Sequence, residues 1–172
     1  MTDFIMQHLL TLILFAPVGG MLAVMLVPGE RKQTVRWVAL VASMVPLALS
    51  IVLWAGYDVG TAGFQFEERA TWYTAISSSY HVGVDGISVP MIVLTTLLMP
   101  LGILTSFGIQ ERVKAYMLLF LMLETGMLGV FMALDLIVFF LFWEIGLVPM
   151  YFLINIWGSP KGEREFGSGQ KV

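Results

Sequence analysis

The chain has 172 residues, of which 58% are hydrophobic and 12% are charged, with a net charge of −3 and a mean hydropathy of +0.87. Soluble globular domains carry about twice that charged fraction, roughly 25%. The composition therefore excludes a disordered tail, a nucleic-acid-binding domain and an ordinary soluble enzyme domain, and it predicts a membrane protein. The sequence contains no cysteine, which excludes disulfides, iron–sulfur ligation and thiolate catalysis by these 172 residues.

Five apolar runs are each long enough to cross the hydrocarbon core, about 30 Å thick, as a helix of about 20 residues. They predict an all-α polytopic membrane protein with transmembrane helices at Phe4–Val27, Trp37–Ala55, Ile87–Ile109, Ala115–Leu134 and Leu136–Trp157. The chain is thereby divided into helices 1 and 2 (1–55), an outer, periplasmic loop (56–86), helices 3 to 5 (87–158) and a polar cytoplasmic tail (159–172).

The basic residues are distributed very unevenly between the two predicted faces of the membrane. One face carries Arg31, Lys32, Arg36, Arg112, Lys114, Lys161, Arg164 and Lys171, whereas the other carries only Arg69. Because positively charged loops stay in the cytoplasm, this asymmetry predicts an outside N-terminus and a cytoplasmic C-terminal tail. It also agrees with an odd number of spans.

The outer loop contains two short stretches of alternating polarity, Gly63–Phe66 and Tyr80–Val84. They predict a small β-hairpin around a polar turn or helical segment that contains Trp72 and Tyr73. The loop then ends in a helix start, where Asp85 or Ser88 is expected to cap the first amides of helix 3.

Two glutamates lie inside predicted spans, Glu124 in helix 4 and Glu144 in helix 5. An ionisable side chain near the bilayer centre costs roughly 2.5–3.5 kcal/mol on insertion scales, so its presence favours a functional role. Only Asp135 separates the two helices, which makes them antiparallel neighbours and places both carboxyl groups near the midplane. Such groups suit a proton relay; the alternative is a protonated side chain that is simply hydrogen-bonded between helices. The sequence does not fix whether the two face each other.

Pro149 follows Glu144 by five residues in the same helix. Its ring clashes with the carbonyl of Ile145, which predicts a bend and a carbonyl freed for other partners beside the carboxyl group. We therefore assign Pro149 a supporting role, with a packing kink as the alternative. The two histidines, His8 and His81, lie far apart in sequence and do not make a metal site.

Several motifs resemble one known family. They are Gly83-Val84-Asp85-Gly86-Ile87-Ser88, Leu123-Glu124, Gly129-Val130-Phe131, Ala133-Leu134-Asp135, Phe142-Trp143-Glu144, Leu147-Val148-Pro149-Met150-Tyr151 and Trp157-Gly158. In order and spacing they are similar to the antiporter-like membrane subunits of proton-pumping NADH:quinone oxidoreductase (respiratory complex I), and most of all to the M-type (subunit 4) chains. The resemblance runs from about Phe64 to Gly158 and fades soon afterwards.

The resemblance implies a subunit that moves a proton across the membrane while quinone is reduced elsewhere in the complex. It implies that Glu144 is the principal proton-carrying carboxylate, Glu124 a second relay or tuning group, and other membrane-arm subunits the partners. It also implies that flavin, iron–sulfur clusters, NADH and quinone bind to other subunits and that this chain holds no cofactor.

The sequence departs from the family in length. Family members have about fourteen spans, and a lysine in the seventh pairs with the glutamate of the fifth; here the sequence ends after helix 5 and no lysine lies inside a span. A partial gene, a frameshifted product and a split subunit are the explanations that follow. Alternative functions are a subunit of an Mrp-type cation/proton antiporter or of a membrane-bound hydrogenase, or a truncated remnant that does not pump.

Overall fold

The computed structural model describes residues 6–73 and 78–158. Five long helices form a bundle: α1 (Leu9–Leu26), α2 (Lys32–Gly56), α3 (Ser88–Thr105), α4 (Val113–Met132) and α5 (Leu136–Trp157). A turn of 3-10 helix, Ser106–Gly108, follows α3. All five helices are long and apolar enough to cross a membrane, so the predicted fold class is confirmed.

The helix bounds differ from the predicted spans mainly at α2. It begins at Lys32, five residues before the expected start at Trp37, because its first turn is made of charged and polar residues that hydropathy does not detect. The expected start of the first span at Phe4 and the polar tail 159–172 both lie outside the described residues.

A two-stranded antiparallel sheet lies between α2 and α3, as predicted. Its strands are β1 (Gln65–Tyr73) and β2 (Ser78–Val84), with Arg69 opposite His81. The placement of Trp72 and Tyr73 in a turn or helical segment was wrong, since both belong to β1. Aromatic and β-branched residues are suited to strands, and the segment around them pairs with the start of β2.

The fourth helix is the centre of the bundle. It packs against α1, α2, α3 and α5, whereas α5 packs on α4 and on strand β2. The share of the span that is buried is 44% for α4 and 17% for α5. Helix α5 is therefore a peripheral helix that turns most of its apolar surface outwards.

Two apolar clusters fill the bundle, one toward each face of the membrane. The cluster beneath the hairpin includes Leu10, Ile13, Leu128 and Met132, and the cluster toward the basic face includes Val24, Ile103, Met117 and Leu121. Helix α4 contributes side chains to both, which is why its inner face is sealed along most of its length.

Glycines set the contact between α4 and α5. A Cβ atom at Gly126 would lie 2.6 Å from the backbone of Gly146, and one at Gly129 would collide with the ring of Phe142. Small residues let helix backbones approach closely where hydrophobic driving forces are weak. The two helices therefore cross at the Gly126–Gly146 contact.

Candidate proton-relay carboxylates

Glu124 lies on the inner face of α4, three residues after Leu121 and four before Leu128. Those two leucines belong to different apolar clusters, so the carboxyl group sits where the two clusters meet. Its side chain is 0% exposed. Neither carboxyl oxygen has a hydrogen-bond partner among residues 6–73 and 78–158.

An unpaired buried carboxyl group is unfavourable, because burial without a compensating hydrogen bond costs several kcal/mol when the group is neutral and far more when it is ionised. Nearly all buried polar groups in proteins have a partner, so an exception calls for an explanation such as a water molecule or a transient proton. The described helices gain nothing in packing from this carboxyl group that an apolar side chain would not supply.

Glu144 has the opposite environment. It lies on the exposed side of α5 and lines an open groove of about 360 Å³ together with Met122 of α4 and with Leu141 and Val148 of its own helix. Every other residue that lines the groove is apolar. The carboxyl group therefore projects from an apolar helix surface that this part of the chain leaves open.

The two carboxyl groups are close in depth but do not face each other. Each precedes its crossing glycine, Gly126 or Gly146, by two residues, and the helices are antiparallel, so their depths differ by about 6 Å, roughly one helical turn. Two residues correspond to a rotation of about 200° around a helix. Glu124 consequently points away from α5 into the bundle, and Glu144 points away from the crossing point with α4.

Pro149 lies within α5, which continues through it to Trp157. It is on the buried side of the helix with Val138 and Phe142. Glu144 is thus on a different side of α5 from the proline that follows it, although both lie in the central part of the helix.

Asp135 and Asp85 act as helix caps, as predicted for Asp85. Asp135 Oδ1 accepts hydrogen bonds from the amides of Ile137 (2.9 Å) and Val138 (3.2 Å) at the start of α5. Its Oδ2 accepts another from the amide of Ser79 in β2, at 3.2 Å. The cap therefore also fastens the hairpin to the helix that carries Glu144.

Asp85 makes a reciprocal cap before α3. Its Oδ1 accepts from the Ser88 amide at 2.7 Å, and its own amide donates to Ser88 Oγ at 2.8 Å. The Ser88 amide and the Ser88 hydroxyl both donate to the carboxylate, which favours the ionised form and lowers the pKa of Asp85 below its usual value.

Sequence reasoning missed the role of Glu68. Its carboxylate accepts hydrogen bonds from the amides of Leu10 (2.9 Å) and Thr11 (3.1 Å) and from the Thr11 hydroxyl, which also contacts Tyr80 Oη at 2.8 Å. Strand β1 thus caps the beginning of α1. No local sequence signal reveals this cap, because 57 or more residues separate the partners.

Both histidines lie next to glutamates of strand β1, on the hairpin side of the bundle. His81 Nε2 lies 2.8 Å from a Glu67 carboxylate oxygen, and His8 Nδ1 lies 3.6 Å from Glu68. Among the residues that the structure describes, no group of three or more His, Cys, Asp or Glu side chains is placed to hold a metal ion.

Five spanning helices with a carboxyl group inside each of the last two define a polytopic membrane protein that carries ionisable groups at membrane depth. Residues 133–168 match the family described as NADH:quinone oxidoreductase/Mrp antiporter, TM. The match continues ten residues past Gly158, so the expectation that the resemblance fades soon after that position was wrong.

Similarity to named relatives covers nearly the whole chain. The chain is 43% identical over 158 residues to NADH-quinone oxidoreductase subunit M of Rhodobacter capsulatus, covering 90% of this chain and 30% of the relative. It is 39% identical over 153 residues to NAD(P)H-quinone oxidoreductase chain 4 1 of Nostoc sp., covering 88% and 28%. It is 37% identical over 148 residues to NADH-ubiquinone oxidoreductase chain 4 of Arabidopsis thaliana, covering 86% and 30%.

Solved structures show the same fold. A chain of respiratory complex I from Thermus thermophilus with bound NADH has a TM-score of 0.70 at 23% identity, covering 86% of this chain and 29% of that one. A chain of the membrane-bound sulfane sulfur reductase, an archaeal respiratory membrane complex, has a TM-score of 0.63 at 24% identity, covering 83% and 22%.

These findings confirm the resemblance to the antiporter-like M-type and chain 4 membrane subunits of NADH:quinone oxidoreductases. The chain spans about 30% of the length of the relatives it matches.

Proposed function

We propose that this chain serves in the membrane arm of a proton-translocating NADH:quinone oxidoreductase, with Glu144 as its principal proton-carrying carboxylate. The observation that carries the proposal is an ionisable group at membrane depth on an open apolar face of α5, within the region of similarity to subunit M. An intramembrane carboxylate costs free energy that packing does not return, which favours a role in proton transfer.

In this proposal the group that exchanges a proton with Glu144 lies in the open groove beside it. A carboxyl group exchanges a proton only with a group or water molecule within hydrogen-bond reach. The groove of about 360 Å³ has room for a side chain or water molecules within that reach. Relatives about three times longer have enough additional chain to supply such a side chain. Pro149 supports the same helix from its buried side.

Glu124 takes the second position in the relay. It lies about one helical turn from Glu144 in depth and on the far side of α4, so a proton passing between them needs water or another side chain in between. Its carboxyl oxygens have no hydrogen-bond partner among the described residues, so they can accept a hydrogen bond from such a water molecule. Alternatively, it influences Glu144 through charge alone.

The location we propose is the bacterial inner membrane, with the hairpin side outside and the basic face in the cytoplasm. The uneven distribution of basic residues supports this orientation. Electron-carrying groups, NADH and quinone are assigned to other subunits of the complex.

The experiment compares Glu144→Gln, Glu124→Gln and Glu111→Gln in the complete complex in membrane vesicles. Glutamine keeps the size of the side chain but cannot carry a proton, and Glu111 lies in the loop before α4 as a matched control. NADH-driven acidification and quinone reduction are both measured. We expect Glu144→Gln to lower proton transport about tenfold or more, a modest value for the loss of a proton-transfer group. Unchanged transport in an assembled Glu144→Gln complex would exclude the role.

A second candidate function is that of a cation/proton antiporter, because the matching family is described as covering Mrp antiporters as well. The two functions differ in their energy source. An antiporter would dissipate a pH gradient when sodium ions are added without NADH, whereas the respiratory subunit would respond to NADH and quinone alone.

A further inference from the structure

We propose that the groove between α1 and α2 is a binding site for one anionic phospholipid, with an acyl chain in the groove and the headgroup phosphate on Arg31. The groove has a volume of about 520 Å³ and lies on the surface of the bundle. It is independent of Glu124 and Glu144, which do not line it.

Small residues on α1 make the groove. Ala16, Gly19 and Ala23 form its floor on that side. Among the described residues, no heavy atom beyond the adjacent backbone of α1 lies within 4 Å of where a Cβ of Gly19 would be. Gly20 differs, since its Cβ would collide with Ala42 of α2. The helices therefore touch at Gly20 and leave an open channel beside it at Gly19.

The length of the groove distinguishes an acyl chain from a partner helix. Along α2 it extends from Thr34 to Val45, a rise of about 16 Å along the helix axis. One leaflet of the hydrocarbon core is about 15 Å thick, and a spanning helix needs about 30 Å. A groove that begins near the basic face and ends near the midplane matches one lipid leaflet.

The charge at the mouth of the groove selects the headgroup. Arg31 caps the N-terminal end of α2, three residues before Thr34, and is exposed. Within the described part of the chain, its guanidinium makes no hydrogen bond or ion pair. An arginine presents paired N–H donors that match a phosphate group.

Neighbouring basic side chains are already engaged in the bundle. Lys32 donates to the carbonyl of Gln110 at 2.8 Å, Arg36 to that of Ile109 at 2.6 Å, and Lys114 to those of Met25 and Val27. Among the described basic residues next to the start of α2, Arg31 is thus the one whose side chain remains available, and it lies three residues before Thr34, which lines the groove. Trp37, 52% exposed, lines the groove below it, where an indole ring suits the membrane interface.

The test uses the full chain in nanodiscs of phosphatidylcholine with a minority of phosphatidylglycerol. Lipids that remain bound after detergent extraction are identified by native mass spectrometry. Wild type is expected to retain phosphatidylglycerol in preference to phosphatidylcholine. Arg31→Gln should lower this retention about fivefold, the effect of one interfacial basic residue, and Gly19→Leu should abolish it by filling the groove.

Arg112→Gln is the matched control, because Arg112 is an exposed arginine on the same face that precedes α4, which does not line the groove, rather than α2, which does. Equal losses in Arg31→Gln and Arg112→Gln would overturn the proposal in favour of diffuse surface charge. Retention of both lipids alike in wild type would overturn the headgroup selection. Gly19→Leu fills open space, so an intact helical spectrum is expected to accompany its loss of lipid.

The remaining alternative is that another protein chain, rather than a lipid, occupies the groove between α1 and α2. Because the sequence contains no cysteine, Gly19→Cys introduces a unique thiol. Oxidation of this variant to a covalent dimer, or its crosslinking to a neighbouring subunit in the complex, would show a protein occupant and overturn the lipid assignment. Protection of the thiol by added phosphatidylglycerol supports it.

Discussion

Helices α4 and α5 each carry one glutamate at similar depth, yet they place it in opposite surroundings. Glu124 is buried among the helices and has no hydrogen-bond partner in the described part of the chain, whereas Glu144 lies on a face that the same residues leave open. The difference follows from position, since α4 is packed on several sides and α5 mainly on one. The surroundings of the Glu124 carboxyl group are thus set by the helices of the bundle. Those of the Glu144 carboxyl group depend on the molecule that covers the open face of α5.

The largest effect is expected from breaking the contact between the two helices. Gly126→Ala places a Cβ 2.6 Å from the Gly146 backbone, where no side chain can move aside. We expect a loss of about 3 kcal/mol in the free energy of unfolding, the upper end of the range for overpacked cores, because the obstructing atoms are backbone. The measurement is denaturant unfolding in detergent micelles. Gly19→Ala is the matched control and should be neutral or stabilising; equal losses in both variants would refute the close crossing.

The next prediction is a gain in the free energy of unfolding, and it compares the carboxyl groups of Glu124 and Glu144 directly. Glu124→Met removes an unpaired buried polar group and should raise the free energy of unfolding by about 1–3 kcal/mol. Glu144→Met should change it by less than about 0.5 kcal/mol, because the Glu144 side chain is exposed to the same surroundings in the folded and the unfolded state. The same unfolding measurement applies. If Glu124→Met were as neutral as Glu144→Met, the carboxyl group of Glu124 would have a partner in solution.

A smaller effect concerns the outer end of α5. Asp135→Ala removes the cap of Ile137 and Val138 together with the contact to Ser79, and should cost about 0.5–2 kcal/mol. Hydrogen exchange at the Ser79 and Ile137 amides should rise in this variant. Glu30→Ala, an exposed acidic residue at the other face, serves as the control. Faster exchange in α5 with unchanged exchange at Ser79 would argue against the link to the hairpin.

The smallest effect is the pH dependence of the corresponding cap on α3. Hydrogen bonds from Ser88 lower the pKa of Asp85, so the cap contributes stability above the unfolded pKa, about 3.9, that is lost as the pH falls through the lower folded value. Because the carboxylate of Asp85 bonds within its own turn, to Ser88 and Ile87, the change is local. The amide shift of Ser88, followed by NMR, should titrate with a midpoint below the unfolded pKa, and Asp85→Asn should abolish the transition. A midpoint at or above the unfolded pKa would contradict the cap.

Much of the architecture was predictable because it depends on local composition. Runs of about 20 apolar residues have to form helices in a membrane, since backbone groups find no other hydrogen-bond partners there. The caps at Asp85 and Asp135 were also predictable, because a cap bonds amides two or three residues away. The error at Trp72 and Tyr73 arose because β-pairing joins residues that are not sequence neighbours.

The candidate site was only partly predictable for the same reason. The sequence identified Glu124 and Glu144 and their similar depths, which follow from rise per residue and a short connection. It could not orient them, because the rotation of each helix is decided by which small residues meet. Glu68 and Arg36 gained their roles from partners 57 or more residues away.

The amino-acid sequence by itself determined that the chain is a five-helix membrane protein with two carboxyl groups inside the spans. Hydrophobicity and helix length are properties of contiguous segments, so they can be read along the chain. Only the tertiary structure decided that Glu124 is enclosed and Glu144 open, and that Gly19 lines a groove while Gly20 closes a contact. Those outcomes depend on how helices that are distant in sequence pack together. A rotation of about 100°, the step of one residue, is enough to move a side chain from the inner to the outer side of a helix.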